Sequence, residues 1–175
     1  MYAGHVGVAL GAKGIRRSLP LWALIIASQL PDWTDATMCI AGFTSSTPGM
    51  LSHSFPAIGI LTLLAGLAYL VSTRDVIGSA FVGVLVISHA LADYLTGTKP
   101  TWSGGPMIGL QLYHHPAIDF AVEGAVILAG WLLYRTSFPG ERRNSREVVS
   151  ILGVLLALQL AADIVFATIS GLRKC

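Results

Sequence analysis

The chain has 175 residues, of which 54% are hydrophobic and only 11% charged, and its mean hydropathy is +0.69. Soluble domains carry about 25% charged residues, so this composition excludes an ordinary water-soluble fold and makes the bilayer the natural solvent. The formal net charge of +2 is too small to suggest a nucleic-acid partner.

The first apolar segment, about 2–12, is short and carries His5. A basic turn containing Lys13, Arg16 and Arg17 separates it from a second short segment, 19–30, and the two read as a helical hairpin. The positive charges follow the first apolar stretch instead of preceding it, so no secretory signal peptide is expected and the N-terminus should be retained. Residues 32–53 read as a polar loop rich in Thr, Ser, Gly and Pro, opened by Asp32 and Asp35 and closed by His53.

Four longer apolar segments follow at 55–72, 76–95, 117–134 and 148–169. Each is close to the ~20 residues needed to cross a hydrocarbon core. The link Thr73-Arg74-Asp75 is minimal and predicts an antiparallel pair on either side of it. Residues 97–115 form a second polar loop with Lys99-Pro100 and Gly104-Gly105-Pro106, closed by His114 and His115. Pro116 is placed to open the next helix, and 136–147 is a charged loop. The expected fold is an all-α polytopic transmembrane bundle of five to six membrane helices, four long spans and a short N-terminal hairpin, in one domain over 1–175. Cys39 and Cys175 form no metal-binding spacing, and nothing in the sequence argues for a disulfide between them.

Charge placement orients the chain. With Lys13–Arg17 in the cytoplasm and the spans alternating, eight of the eleven Lys and Arg fall inside, and only Lys99, Arg173 and Lys174 fall outside. The expected location is the inner (cytoplasmic) membrane of a cell. All five histidines then gather in the outer half, with Asp32, Asp35, Asp93, Asp119 and Glu123. Asp163, in the outer part of the last helix, is a further candidate. His89-x-x-x-Asp93 places both side chains on one helical face. His115, Asp119 and Glu123 repeat that interval, although His115 at the helix cap aligns less strictly.

Imidazole and carboxylate together suit zinc, manganese or iron. A metal would also supply positive charge to carboxylates that are costly at membrane depth and have few cations near them. Each residue also has a plainer reading. His89 and Asp93 suit a hydrogen-bonded pair, Asp32 a cap after Pro31, His114 and His115 an interfacial packing role beside Tyr113, and Lys99 a solvated loop position. The convergence of all of them favours metal, and the number of candidate ligands suits two or three ions.

Leu30-Pro31-Asp32-Trp33-Thr34-Asp35, Ser52-His53-Ser54 and Ser88-His89-Ala90-Leu91-Ala92-Asp93, after the early His5, resemble the YdjM-like membrane-bound metal-dependent hydrolases of bacteria and archaea. The likeness covers the first two thirds of the chain in the same order. It departs at Ser52, where that family usually has Thr, and in the three-residue spacing of Asp32 and Asp35, which leaves open which of them is a ligand. The ligand order is also distantly similar to that of zinc-dependent phospholipase C and fungal single-strand nucleases. That likeness implies one site from Asp32 or Asp35 with His53, His89 and Asp93, and a second from His114, His115 and Asp119. It implies a third from His5 and Asp93, for which the N-terminal tryptophan of those enzymes is absent, since this chain begins Met1-Tyr2.

These resemblances imply a zinc-dependent phosphoesterase, phospholipase C-like, acting on a lipid or lipid-linked phosphate at the outer interface. Water activated by the metal would attack, Asp32, Asp35 or Glu123 would accept its proton, and Lys99 would hold the substrate. Membrane lipids are then the expected partners. An ion- or proton-coupled transporter or channel, a haem protein, and an accessory subunit with a structural metal are the competing readings. The apolar inner halves of the helices argue against a continuous transport path, and the carboxylates beside nearly every histidine argue against haem.

Overall fold

The computed structural model describes residues 2–43, 45 and 47–168. Seven α-helices are found there: α1 (Ala3–Ile15), α2 (Leu21–Ile40), α3 (Met50–His53), α4 (Phe55–Thr73), α5 (Val76–Thr96), α6 (Pro116–Arg135) and α7 (Arg146–Thr168). The fold is an all-α helical bundle. Helices α4, α5, α6 and α7 are each long and apolar enough to cross a membrane. At ~1.5 Å per residue, the 13 residues of α1 span only about 20 Å, short of the ~30 Å hydrocarbon core. Arg173, Lys174 and Cys175 lie outside the described residues.

The expected loop at 32–53 is largely helical instead. Helix α2 runs through Pro31 to Ile40 and carries both Asp32 and Asp35. A proline inside a helix removes one backbone hydrogen bond. The polar residues beyond it do not break the helix, because they turn their hydroxyls back onto it: Thr34 Oγ1 donates to the Leu30 carbonyl at 2.8 Å and Thr37 Oγ1 to the Trp33 carbonyl at 2.7 Å.

Helix α1 is the central wall of the bundle. On one side it packs against α2 and α5, and on the other against α6 and α7. Its contact with α6 is the most extensive in the molecule and depends on glycine. A Cβ on Gly7 would lie 2.8 Å from the Ile127 Cα, and one on Gly130 would lie 1.8 Å from the Gly7 carbonyl oxygen. Small residues let helix backbones approach in lipid, where apolar burial itself gives little drive for association. Two apolar clusters result, one including Leu24, Val82 and Val86, the other Leu10, Ile127 and Tyr134. Half of the α5 span is buried and only 11% of α4, so α4 is the peripheral helix.

The two ends of the bundle differ in character. At one end Arg16 grips Asp75, with both carboxylate oxygens 2.8 Å from the same guanidinium nitrogen, and Asp75 caps α5 through the Gly78 N–H. Ser137 donates to the Lys13 carbonyl at the same end. All three basic connections therefore lie together. Asp93 stands 18 residues along α5 from Asp75, about 27 Å away. At that opposite end, Lys99–Pro100 (β1) and Met107–Ile108 (β2) pair as a short antiparallel hairpin in register Lys99↔Ile108. The Thr101 carbonyl accepts from the Phe55 N–H at 2.8 Å and the Tyr94 carbonyl from the Leu110 N–H at 2.9 Å, so the hairpin is held over the ends of α4 and α5.

Candidate metal centre

Two long helices and the single-turn helix α3 bring four side chains to one point. Asp32 comes from α2, His53 from the end of α3, and His89 and Asp93 from successive turns of α5. Each of the four offers a ligand atom within 4.8 Å of the others. His53 is placed by what flanks it: Gly49 takes a left-handed φ of +75° to start α3, and Ser54 takes extended backbone and caps α4, accepting from the Ala57 N–H.

The hydrogen bonds behind the imidazoles fix what they present in front. His89 Nδ1 lies 2.7 Å from the Ser28 carbonyl oxygen, which only accepts, so Nδ1 carries the proton and donates. Ser52 donates its hydroxyl to Asp35 Oδ1 at 2.8 Å, which leaves its oxygen to accept from His53 Nδ1 at 2.7 Å. In its neutral form each ring would then turn a bare Nε2 into the group, and these two nitrogens are 3.3 Å apart. His53 Nε2 lies 3.2 Å from both Asp32 Oδ1 and Asp93 Oδ2, and His89 Nε2 lies 3.5 Å from the same two oxygens. Two nitrogen lone pairs facing two carboxylate oxygens repel unless a cation or proton lies among them. Ligand bonds of about 2.0–2.1 Å in a tetrahedron put ligand atoms about 3.3 Å apart. The donor chemistry and the spacing thus both suit a divalent ion held by two imidazoles and two carboxylates.

Other expected residues surround this group in different ways. His5 stacks on His89 with ring centroids 3.8 Å apart, and its Nε2 is 3.2 Å from Asp93 Oδ1, the carboxylate oxygen turned away from His53. Asp35 stands behind Ser52, one hydrogen bond removed from the imidazole. Lys99, carried by the hairpin, places its ammonium 2.8 Å from Asp93 Oδ2. The Asp32 side chain is 35% exposed, whereas those of His53, His89 and Asp93 are buried. The group therefore opens to the surroundings through Asp32. Tyr113 lines the hairpin side and accepts from Thr96 Oγ1 at 3.2 Å. Burial pushes its hydroxyl above the ordinary tyrosine range, so it stays a neutral phenol at physiological pH.

His114 and His115 are not brought to this group. Both are exposed, His114 in a turn of 3-10 helix and His115 at the cap of α6, where it makes no side-chain capping bond. Being adjacent in the chain at a helix start, they follow the turn outward while Asp119, one turn in, points to the interior. Asp119 and Glu123 are buried on the far side of α1, and the two acids, with Asp163, form a separate cluster. Ser28 was not legible as a contributor, because its role is played by the backbone. The Ser52 hydroxyl was visible only as part of the Ser-His-Ser motif. Comparison with protein-family models, with curated proteins and with solved structures finds no match to this chain.

Proposed function

We propose that the protein is a membrane-embedded metal-dependent hydrolase of the YdjM-like kind, acting on a phosphoester of a lipid or lipid-linked phosphate at the outer membrane interface. The observation that carries this reading is the mutual approach of His53 Nε2, His89 Nε2, Asp32 Oδ1 and Asp93 Oδ2 at 3.2–3.5 Å, with both imidazoles held by donation from Nδ1. Asp32, His53, His89 and Asp93 would hold a divalent ion, zinc by preference, which would supply Lewis acidity and lower the pKa of bound water toward neutrality.

The chain's own groups supply the rest. Asp32, the more exposed of the two carboxylates, accepts the proton of the attacking water and passes it to solvent. The Lys99 ammonium, 2.8 Å from Asp93, is positioned to turn to a phosphate oxygen and offset charge that grows there during displacement. His5 fixes the outward oxygen of Asp93 and so orients the inward one. The positive-inside bias supports a basic end in the cytoplasm and this site on the extracytoplasmic side, near the lipid head groups.

The test is hydrolysis by the purified, zinc-reconstituted chain of a phospholipid and of an isoprenoid-lipid phosphate, with release of phosphate or phosphorylated head group as the readout. Turnover that falls to background in His89→Ala and Asp93→Asn supports the reading. Bound metal without turnover of either substrate class would favour an accessory subunit with a structural metal instead.

A further inference from the structure

Among the described residues, α5 and α6 both lean on α1 but make almost no contact with each other. The face of α1 between them carries Gly7, Gly11 and Ala12, whose side chains are too small to fill the gap. A groove of about 360 Å³ is left, with α1 as its floor and α5 and α6 as its walls. Its rim residues Ile15, Val84 and Leu133 are exposed, so it opens sideways along the flank of the bundle, toward the hydrocarbon of the bilayer. Among the described residues that line it, the one polar side chain is Ser88, whose hydroxyl donates to the Leu85 carbonyl at 2.8 Å. An occupant finds no free hydrogen-bonding side chain there and is itself apolar.

The dimensions select the occupant. The floor from Gly7 to Ile15 is about 12 Å long, so the groove has a cross-section of about 30 Å². An α-helix with its side chains, about 10–12 Å across, needs about 80–110 Å². A methylene chain in contact at about 4 Å on every side needs on the order of 20 Å². The groove thus takes one hydrocarbon chain, and neither a helix nor two chains side by side. Its position says what that chain carries. Gly7 and Ser88 make its outer end. His89 follows Ser88 directly and His5 stands two residues before Gly7, with the two rings stacked at 3.8 Å. His5 Nε2 in turn lies 3.2 Å from Asp93 Oδ1. A chain lying in the groove therefore brings its head to the His5–His89 edge of the candidate metal centre.

We infer that this groove holds the tail of a single-chain lipid phosphate whose phosphate lies at the histidine group. The assignment rests on the hydrolase reading above and narrows its substrate class, setting two-chain phospholipids aside. In lipid, apolar contact by itself gives little drive for binding. The tail is held by fit and by the anchoring of its head, so both parts of the molecule are needed.

The experiment uses the full chain, loaded with zinc and reconstituted in phosphatidylcholine vesicles. It is irradiated with a dodecylphosphonate that carries a diazirine at mid-chain and whose C–P bond resists hydrolysis, and the labelled positions are read by mass spectrometry. Label is expected on the groove walls, at Val84 and Leu133, at least about 10-fold denser than at Leu63 and Leu67 on the exposed face of α4. Excess unlabelled dodecylphosphonate should remove it, and an equal excess of dodecanol should not. Ala129→Phe fills the groove from an exposed wall position and should lower groove labelling at least about 10-fold with zinc content unchanged. Four results would overturn the inference: label no denser in the groove than on α4, equal displacement by dodecanol, undiminished labelling of a zinc-binding Ala129→Phe chain, or equal groove labelling by a two-chain phosphatidate bearing the same diazirine. The wild-type pattern decides even if the variant fails to fold. Groove labelling without turnover of any phosphoester refutes the hydrolase reading alone, and turnover without groove labelling refutes the groove alone.

Discussion

His89 donates to a backbone carbonyl and His53 to a serine hydroxyl that is itself committed to Asp35. These bonds hold each ring in one tautomer and one orientation, and such outer partners set metal affinity. Ser52→Ala removes the link between Asp35 and His53 while leaving all four candidate ligands in place. It is expected to weaken zinc binding about 10–100-fold, as read by competition with a chromophoric chelator; unchanged affinity would show that the serine does not orient the ring. Lys99→Met keeps the stem of the side chain and removes its charge. It should lower kcat/KM for a phosphoester about 10²–10³-fold with zinc content unchanged, and loss of zinc instead would make Lys99 a structural partner of Asp93. At this scale the sequence was informative where spacing carries the geometry. His89 and Asp93 are four apart on one helix and meet as their interval requires. Asp32 and Asp35 could not be told apart, because three residues along a helix leaves both near one face, and only the Ser52 hydroxyl separates their surroundings. His114 and His115 were ambiguous for the opposite reason: at a helix start, spacing does not determine direction.

Among the elements, α1 is too short to read as a full span and is the most consequential in packing. Its close approach to α6 is a backbone contact, so its tolerance of side chains is small. Gly130→Val would drive a Cβ into the Gly7 carbonyl, 1.8 Å away before any shift. The expected cost is about 3 kcal/mol or more, seen as a lower midpoint of thermal unfolding in detergent and loss of zinc. Gly59→Ala, where a Cβ meets nothing within 4 Å, is the control and should be close to neutral. A Gly130→Val chain with wild-type stability would mean that α1 and α6 do not pack this way. The long helices were readable from their apolar length, and the minimal turn at Arg74 from its brevity. The continuation of α2 to Ile40 was not, since Pro31 and a run of polar residues signal a loop unless the threonine hydroxyls are known to fold back onto the helix. The hairpin at Lys99–Ile108 was likewise read only as a loop. Two-residue strands leave no periodic pattern.

Across the whole molecule, charge and chemistry separate to opposite ends. Arg16, Asp75, Lys13 and Ser137 knit the basic connections together at one end, and the histidine group and its hairpin occupy the other. The alternation of spans inferred from charge agrees with this arrangement, because each helix that enters at the basic end leaves near the polar one. Single cysteines introduced at Asp32 and Arg143 should label from opposite sides of the membrane, position 32 from outside; labelling of both from one side would contradict the bundle's polarity. The central claim is that Asp32, His53, His89 and Asp93 hold a transition metal. It is tested most directly by metal analysis of the protein purified without chelators and then exposed to zinc. The account predicts at least about one tightly bound equivalent per chain, lost in His53→Ala and in His89→Ala. A wild-type chain that retains none after reconstitution, or variants that bind zinc as the wild type does, would contradict it.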